Sequence, residues 1–144
     1  MTPASPVAAT QFGYHQHGNV RLDSTLDDFS PETLEEHRRW LTDYRLRLMQ
    51  SVTPGQLSPE DHADYDIIQD QISLNLLELT SIQAYRHNPT VYVELIGSGL
   101  YSPYVLEYAS KHDRCEHILG RMRTVPRLLE QARRNLASAP DVWN

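Results

Sequence analysis

The stretch SPETLEEHRRWLTDYRLRLMQS, residues 30–51, contains a complete helix start followed by a helical pattern. Ser30 suits the N-cap, Pro31 suits the first helical position, and Glu32 places an anion beside the helix dipole. Apolar side chains then recur at intervals of three and four, which is typical of an amphipathic helix. The stretch therefore predicts a helix that begins at Pro31 and stops before the sequence TPGQ at residues 53–56.

The same start returns downstream at Ser58, Pro59 and Glu60. Asp61 stands at the third helical position, where its carboxylate can take part in a capping box. The apolar period continues from there, so the pattern predicts one long helix that ends at Asn88 and Pro89.

The N-terminal third outside these helices is predicted to be less regular. VAATQFGY predicts a short helix stopped near Gly13, and residues 15–29 lack a sustained period and predict an irregular surface loop. Residues 89–109 are ambiguous, because TVYVEL has the composition of a strand. No other segment offers a strand partner, so we expect short helical turns interrupted at Gly97, Gly99 and Pro103.

The C-terminal region begins with another capping box, formed by Ser110 and Asp113. Pro126 is predicted either to kink the helix that follows or to open a new one. The predicted core-facing residues of this region are Cys115, Ile118, Leu119, Met122, Val125, Leu128, Leu129, Ala132 and Leu136.

Together these segments predict an all-α fold, a bundle-like array of at least four helices joined by short connections. The chain of 144 residues is expected to form one helical region, residues 1–144. Within it, residues 1–29 hold the short helix and the irregular loop, and residues 30–144 are helical.

Composition and charge narrow the function classes. The net charge is −6, and the arginines of the C-terminal half are interleaved with apolar residues, which is typical of a solvated helix face, so we expect no nucleic-acid partner. No run of residues is apolar enough to span a bilayer and no export signal is visible, so we expect no membrane association. The single cysteine cannot form an internal disulfide, and the cellular compartment stays open.

The run HDRCEHILG, residues 112–120, is the most suggestive of metal chemistry, because it combines histidine, cysteine and carboxylate side chains. On a helix successive residues rotate by roughly 100°. His112, Cys115 and Glu116 then share one side, and His117 points to the other. Capping by Asp113 and core packing by Cys115 account for these residues without a metal. The remaining metal hypothesis is a His112 and Glu116 pair completed by ligands from elsewhere in the chain.

Other candidate sites are weaker. His15 and His17 form an H-x-H pair in the predicted loop, and they could ligate a metal only if a third ligand converged. The acidic residues Asp61, Asp64, Asp66 and Asp70 lack the glycine and spacing of a calcium loop. The GSG of residues 97–99 lacks the features of a phosphate loop, and no nucleophile motif is present. The residues alone therefore assign no catalytic, cofactor-binding or metal residue.

The order of several segments resembles the N-terminal region of the bacterial proteins grouped as domain of unknown function 885. The resemblance runs from about Thr10 to the end of the chain. Its most specific features are LSPEDHADYDII at residues 57–68, the N-P-x-x-Y of Asn88, Pro89 and Tyr92, and a C-terminal run containing Arg121, Pro126, Leu129, Ala132 and Asn135. The supporting segments are TQFGYH (10–15), LDDFSPETL (26–34), QLSPEDHADYDIIQDQI (56–72), NPTVYVELIGSGLY (88–101) and RCEHILGRMRTVPRLLEQARRNL (114–136).

The resemblance implies more than the residues do. Full-length members look like zinc metallopeptidases of a carboxypeptidase-like kind, with an H-E-x-x-H helix in a later region. This chain is then expected to be an N-terminal fragment that lacks the metal-binding motif and is inactive by itself. No cofactor is expected here, although zinc is implied for full-length members. The expected partners are the rest of the peptidase-like domain and, in full-length members, a peptide substrate.

An alternative function is a free-standing helical module that binds a partner or forms a homo-oligomer without catalysis. A third hypothesis is a small metalloprotein that uses His15, His17, His112 or Glu116.

Overall fold

A computed structural model describes residues 5–137 of the chain, and the fold is all-α as predicted. The helices are α1 (Pro6–Gln11), α2 (Pro31–Ser51), α3 (Pro59–Leu77), α4 (Ala84–His87), α5 (Thr90–Val105) and α6 (Lys111–Asn135). A 3₁₀ turn, Pro54–Gln56, joins α2 to α3, and a π-helical turn, Glu78–Ile82, follows α3. The strands β1 (Gln16–His17) and β2 (Val20–Arg21) form a two-residue antiparallel ladder. None of the helices within residues 5–137 combines the length and the apolar composition that a membrane span requires.

The predicted helix starts are confirmed. α2 begins at Pro31, and α3 begins at Pro59 with Ser58 as its N-cap. The Ser58 hydroxyl accepts from the Asp61 backbone N–H at 3.1 Å and donates to the Asp61 carboxylate at 2.6 Å. Ser110 and Asp113 repeat this arrangement at the start of α6. These caps depend on groups three residues apart, which is why the sequence predicts them.

The chain divides into two compact units, and each has its own packing. The α2–α3 unit comprises Pro31–Gln83, and its buried hydrophobic residues among those described are Leu41 and Ile72. The second unit, the α5–α6 unit, comprises the described residues up to Ser30 and those from Ala84 onward. Its core is formed by Val7, Leu26, Tyr92, Leu128 and Ala132.

The predicted end of the second helix is wrong. α3 ends at Leu77, and after the π-helical turn Gln83 adopts a left-handed backbone with φ of 50°. A non-glycine residue in this region disfavours continuation of a right-handed helix, so the chain starts a separate short helix at Ala84. Hydrophobic period alone carries no information on this backbone change.

The prediction of interrupted turns at residues 89–109 is also wrong, because α5 runs without a break through Gly97, Gly99 and Pro103. Gly99 allows the close packing of this face, since a Cβ there would lie 2.6 Å from the Leu26 side chain and would force that buried side chain to shift. Tyr92 is buried in the core, and its hydroxyl donates to the Tyr85 carbonyl at 2.8 Å. α5 is therefore a continuous helix with one face closely packed.

The prediction of a surface loop at residues 15–29 holds for residues 15–21, which are exposed or half-buried, and is wrong for residues 22–29, none of which is exposed. Leu22 and Leu26 are almost fully buried, and Asp23 and Asp27 are buried with them. The loop therefore supplies part of the core of the α5–α6 unit as well as the small β1–β2 ladder.

The predicted core face of α6 is confirmed only in part, since Leu128 and Ala132 lie in the core and Val125 and Leu136 pack against it, whereas other predicted residues do not. Cys115 is exposed, as are Leu119, Met122 and Leu129. His117, which was predicted to point away, is buried. The buried residues of this helix are Arg114, His117, Arg121, Leu128 and Ala132. The helix continues through Pro126, so this proline does not open a new helix.

Candidate functional site

Arg121 is the centre of a buried polar cluster in the α5–α6 unit, and its side chain is fully buried. Nη1 donates to the Gly99 carbonyl oxygen at 2.6 Å, and Nη2 donates to the Thr10 hydroxyl at 2.7 Å. Burial lowers the pKa of Arg121, while the nearby Tyr108, Asp23 and Asp27 act in the opposite direction. A guanidinium remains charged in proteins, so this cation joins α6 to α5, α1 and the loop.

Asp23 extends the cluster toward the surface. The Thr10 hydroxyl donates to Asp23 Oδ1 at 2.7 Å, and His15 Nδ1 lies 3.0 Å from the same oxygen. The Asp23 side chain is 7% exposed, whereas that of His15 is 35% exposed. The carboxylate is thus inside the fold, and the imidazole is its solvent-accessible partner.

Tyr108 lies between two histidines. Its ring stacks on His15 with centroids 4.6 Å apart, and it is nearly parallel to the His117 ring at 5.8 Å. The Tyr108 hydroxyl and His117 Nδ1 are 3.0 Å apart. Burial raises the pKa of Tyr108 to about 12, with a further contribution from Asp23. The phenol therefore keeps its proton at neutral pH and can donate it to His117 Nδ1.

Asp27 is a second buried carboxylate close to Arg121. Its Oδ1 accepts from the Val7 backbone N–H at 3.1 Å. Burial raises the pKa of Asp27, against the opposing effects of hydrogen bonds from Ser5 and Val7 and of the charge on Arg121. Desolvation therefore outweighs the favourable contacts of this charge.

Arg114 binds the end of α5. Its Nη1 donates to the carbonyl oxygens of Pro103, Tyr104 and Leu106 at 3.0, 2.8 and 3.2 Å. Carbonyl groups in the last turn of a helix lack intrahelical partners, so a buried guanidinium can satisfy several of them. This contact fixes the connection between α5 and α6.

The candidate metal residues do not assemble into a site. His15 is bonded to Asp23, whereas His17 Nδ1 lies 3.2 Å from the Tyr14 hydroxyl. His112 and Glu116 are exposed near the start of α6, and His117 is turned into the core. Within residues 5–137, no group of three histidine, cysteine or carboxylate side chains could hold a metal ion.

Cys115 borders an open cleft of about 380 Å³. Lys111 and Arg114 of α6 and Glu107 after α5 also line it, so its polar groups carry both signs of charge. The GSG segment lies inside α5, where the Gly99 carbonyl accepts from Arg121. Asp61, Asp64, Asp66 and Asp70 are exposed on α3.

Thr10, Asp23, Tyr108 and Arg121 were not identified from the sequence as a cluster. One signal was present, because Arg114, Arg121 and Leu128 recur at intervals of seven along α6. An interval of seven keeps residues on one helix face, yet arginines were assigned to the solvent on polarity alone. Aspartates between apolar residues in the loop, at Leu22 to Asp27, were a second signal.

Several residues that carry the family resemblance have internal roles. Besides Arg121, Asn135 donates to the Phe29 carbonyl at 2.9 Å and to the Tyr92 hydroxyl at 3.1 Å. Gln131 lies one helical turn before Asn135, and its side-chain Nε2 donates to Asp28 Oδ1 at 2.7 Å. These contacts attach the end of the N-terminal loop to α6 and α5.

Comparison with known proteins identifies the family of this chain. A protein-family model described as bacterial protein of unknown function (DUF885) matches residues 6–142. No curated protein and no solved structure matches the chain.

Proposed function

The chain belongs to the DUF885 family, and on that premise we propose that it is the N-terminal helical part of a zinc-dependent, carboxypeptidase-like protein. Its role in that protein is to pack against a later region that carries the chemistry. The family resemblance in the sequence supports the peptidase part of the proposal. The exposed apolar faces of the helices support the packing part.

The outer face of α5 is the observation that carries the proposal. Within this helix Glu94 is the only charged residue. Val93, Tyr101 and Tyr104 are nonetheless 67%, 63% and 72% exposed. A helix with so little charge is usually buried on all sides, so this face suits contact with another apolar surface.

α6 adds exposed apolar residues to the same unit, namely Leu119, Met122 and Leu129. The α2–α3 unit, taken by itself, exposes Trp40, Met49, Ile67, Leu74 and Leu77. Single exposed apolar side chains are normal on protein surfaces, but several on each helix of a small domain favour a protein partner.

The zinc of the proposed protein does not fit a set of ligands in the described part of this chain, where no group of three suitable side chains occurs. We therefore assign no metal-dependent reaction to residues 5–137. In this proposal the chain supplies structure, and the metal ligands belong to the later region of the family.

Co-expression with the later, H-E-x-x-H-containing region of a family member tests the proposal. We expect the two pieces to co-purify as a complex. Tyr101→Glu should weaken that complex, because it places a charge in the apolar face of α5. Arg123→Glu is the matched control, since Arg123 is an exposed polar residue of α6 and its replacement should leave the complex intact.

Two results would overturn the proposal. One is zinc-dependent peptide hydrolysis by the purified 144-residue chain alone. The other is failure of the two pieces to associate while the chain forms a stable homo-oligomer across a concentration series. The second result would favour the free-standing oligomerisation module instead.

A further inference from the structure

The Asp23–His15 pair has the arrangement of an oriented base. An ionised carboxylate can only accept hydrogen bonds, so the 3.0 Å contact with Asp23 Oδ1 places the proton of neutral His15 on Nδ1. The other ring nitrogen, Nε2, then keeps its lone pair. Among the described residues none hydrogen-bonds Nε2, and this atom is not among the buried atoms that lack a partner.

The position of the imidazole is fixed in two further ways. Tyr108 stacks on the ring at 4.6 Å, and Tyr108 is itself hydrogen-bonded to the buried His117. Asp23 is fixed by the Thr10 hydroxyl at 2.7 Å, which in turn accepts from Arg121. A short chain of hydrogen bonds thus connects the fully buried cation to the partly exposed imidazole.

We propose that Asp23 and His15 form a proton-accepting site, in which His15 Nε2 takes the proton of an N–H or O–H group of a ligand that reaches the exposed part of the imidazole from solvent. The proton moves to Nε2, and the electron pair of the broken bond stays on the ligand nitrogen or oxygen. The imidazolium that forms is stabilised by the Asp23 carboxylate. Asp23 and Tyr108 are positioning residues, because they act through His15.

This site is separate from the proposed packing role, because its contacts lie within the described residues of the α5–α6 unit and involve none of the exposed apolar faces. A failure of the complex with a later region would leave it unchanged.

The chain contains a natural control in His62. His62 Nδ1 also lies near a carboxylate, Asp66, at 3.1 Å. Both side chains of that pair are well exposed, at 48% and 61%. The nearest ring, Tyr65, is edge-on at 6.5 Å and does not stack. If exposure determined the rate of reaction with a reagent in solution, His62 would react faster. If the orientation of the imidazole by its carboxylate determines the rate, His15 reacts faster.

The tautomer of His15 is the first test. Long-range ¹H–¹⁵N correlation spectra of the full chain distinguish a protonated Nδ1 from a protonated Nε2. We expect the Nδ1–H tautomer at His15 and a mixture of tautomers at His62. A predominantly Nε2–H tautomer at His15 would overturn the proposal.

Reaction with diethyl pyrocarbonate is the second test. The imidazole lone pair attacks a carbonyl carbon of the reagent, an N–C bond forms, and the bond to the bridging oxygen breaks to release ethyl carbonate. Peptide mapping by mass spectrometry gives the rate at each histidine. We expect His15 to react severalfold faster than His62 in the unmodified chain, and an equal or slower rate contradicts the proposal.

Two variants distinguish the effect of the Asp23 carboxylate on the His15 tautomer from the effect of ring packing around His15. In Asp23→Asn the side-chain amide can donate to Nδ1, so we expect the tautomer to reverse and the fast reaction at His15 to be lost. Tyr108→Phe keeps the stacked ring and removes only the hydroxyl, so it should react like the unmodified chain. A fast reaction retained in a folded Asp23→Asn protein would also sink the proposal. If Asp23→Asn does not fold, the reaction rates of His15 and His62 in the unmodified chain still test the proposal.

Discussion

Arg121 combines complete burial with a charge that needs partners. Its guanidinium reaches Gly99, 22 positions earlier in the chain, and Thr10, 111 positions earlier. Asp23 and Asp27 provide negative charge nearby. A single side chain therefore fixes the relative positions of the loop, α1, α5 and α6, at the cost of desolvating several ionised groups.

Replacement of Arg121 by methionine tests this role. Arg121→Met retains much of the volume but leaves the buried Asp23 and Asp27 without their cation, so the free energy of unfolding should fall by about 3–5 kcal/mol. Urea unfolding followed by circular dichroism measures the loss. The control is Arg123→Met at an exposed position two residues away, which should change the value by less than about 0.5 kcal/mol. Similar losses in both variants would contradict the central role of Arg121.

Burial of Asp27 makes the stability of the folded protein depend on pH. Burial raises its pKa in the folded state above the ordinary value of 3.8, so the folded protein holds this proton more tightly than the unfolded chain. The stabilisation from that proton is complete below the unfolded pKa and is lost as the pH rises through the folded pKa.

Asp27→Asn lacks this titration and keeps an acceptor for the Val7 N–H. The stability of the variant relative to the unmodified protein should therefore be constant at low pH and should increase as the pH rises above about 4. Urea unfolding at a series of pH values measures this difference. A difference that stays constant from acid to neutral pH would exclude the assigned shift of Asp27.

Glycines show how closely the elements of the α5–α6 unit pack. A Cβ on Gly120 of α6 would lie 2.9 Å from the Ser24 Cβ and 3.0 Å from the Ser24 carbonyl oxygen. A Cβ on Gly97 of α5 would meet nothing within 4 Å. The loop can therefore approach α6 closely only because residue 120 has no side chain.

Alanine substitutions at these two glycines should have opposite effects. Gly120→Ala should destabilise the protein by about 1–3 kcal/mol, because the loop backbone must move. Gly97→Ala, in open space within a helix, should stabilise it by roughly 0.5–1 kcal/mol through higher helix propensity. Thermal unfolding of the two variants beside the unmodified chain measures both effects. A stabilising Gly120→Ala would mean that the loop does not contact α6 as described.

The two units of the chain differ in the number of hydrophobic residues that each buries. Within the described residues, the α2–α3 unit buries the hydrophobic residues Leu41 and Ile72. The other unit buries more of them, and it also contains the Arg121 network. The buried hydrophobic residues of the α5–α6 unit are Val7, Leu22, Leu26, Tyr92, Leu128 and Ala132.

Native-state hydrogen exchange of the full chain should detect this difference. Backbone amides of α2 and α3 should exchange with a smaller opening free energy than those around Arg121 in α6, since fewer buried contacts resist their opening. Mass spectrometry of peptide fragments after exchange gives the protection of each helix. Equal protection in the two units would show that core size does not determine local stability here.

Local signals in the sequence determined the helical class, the starts of α2, α3 and α6, and the short helix that ends near Gly13. Each depends on residues within about one turn of one another, such as Ser58 with Asp61 and Ser110 with Asp113. The single helical region, the expected fragment and the absence of site residues stay predictions. The family resemblance is confirmed by a match over residues 6–142.

Which side chains of α6 are buried depends on contacts with residues that are distant in the sequence. The local pattern correctly placed Leu128 and Ala132 in the core. It also favoured Cys115, Leu119 and Met122, which are exposed, whereas the buried positions of this part of the helix are Arg114, His117 and Arg121. The physical reason is that burial of a polar side chain becomes favourable only when distant groups satisfy it. For Arg121 those groups are Gly99 and Thr10, and for His117 the group is Tyr108. Sequence periodicity carries no record of such partners, so the polar cluster became visible only in the folded chain.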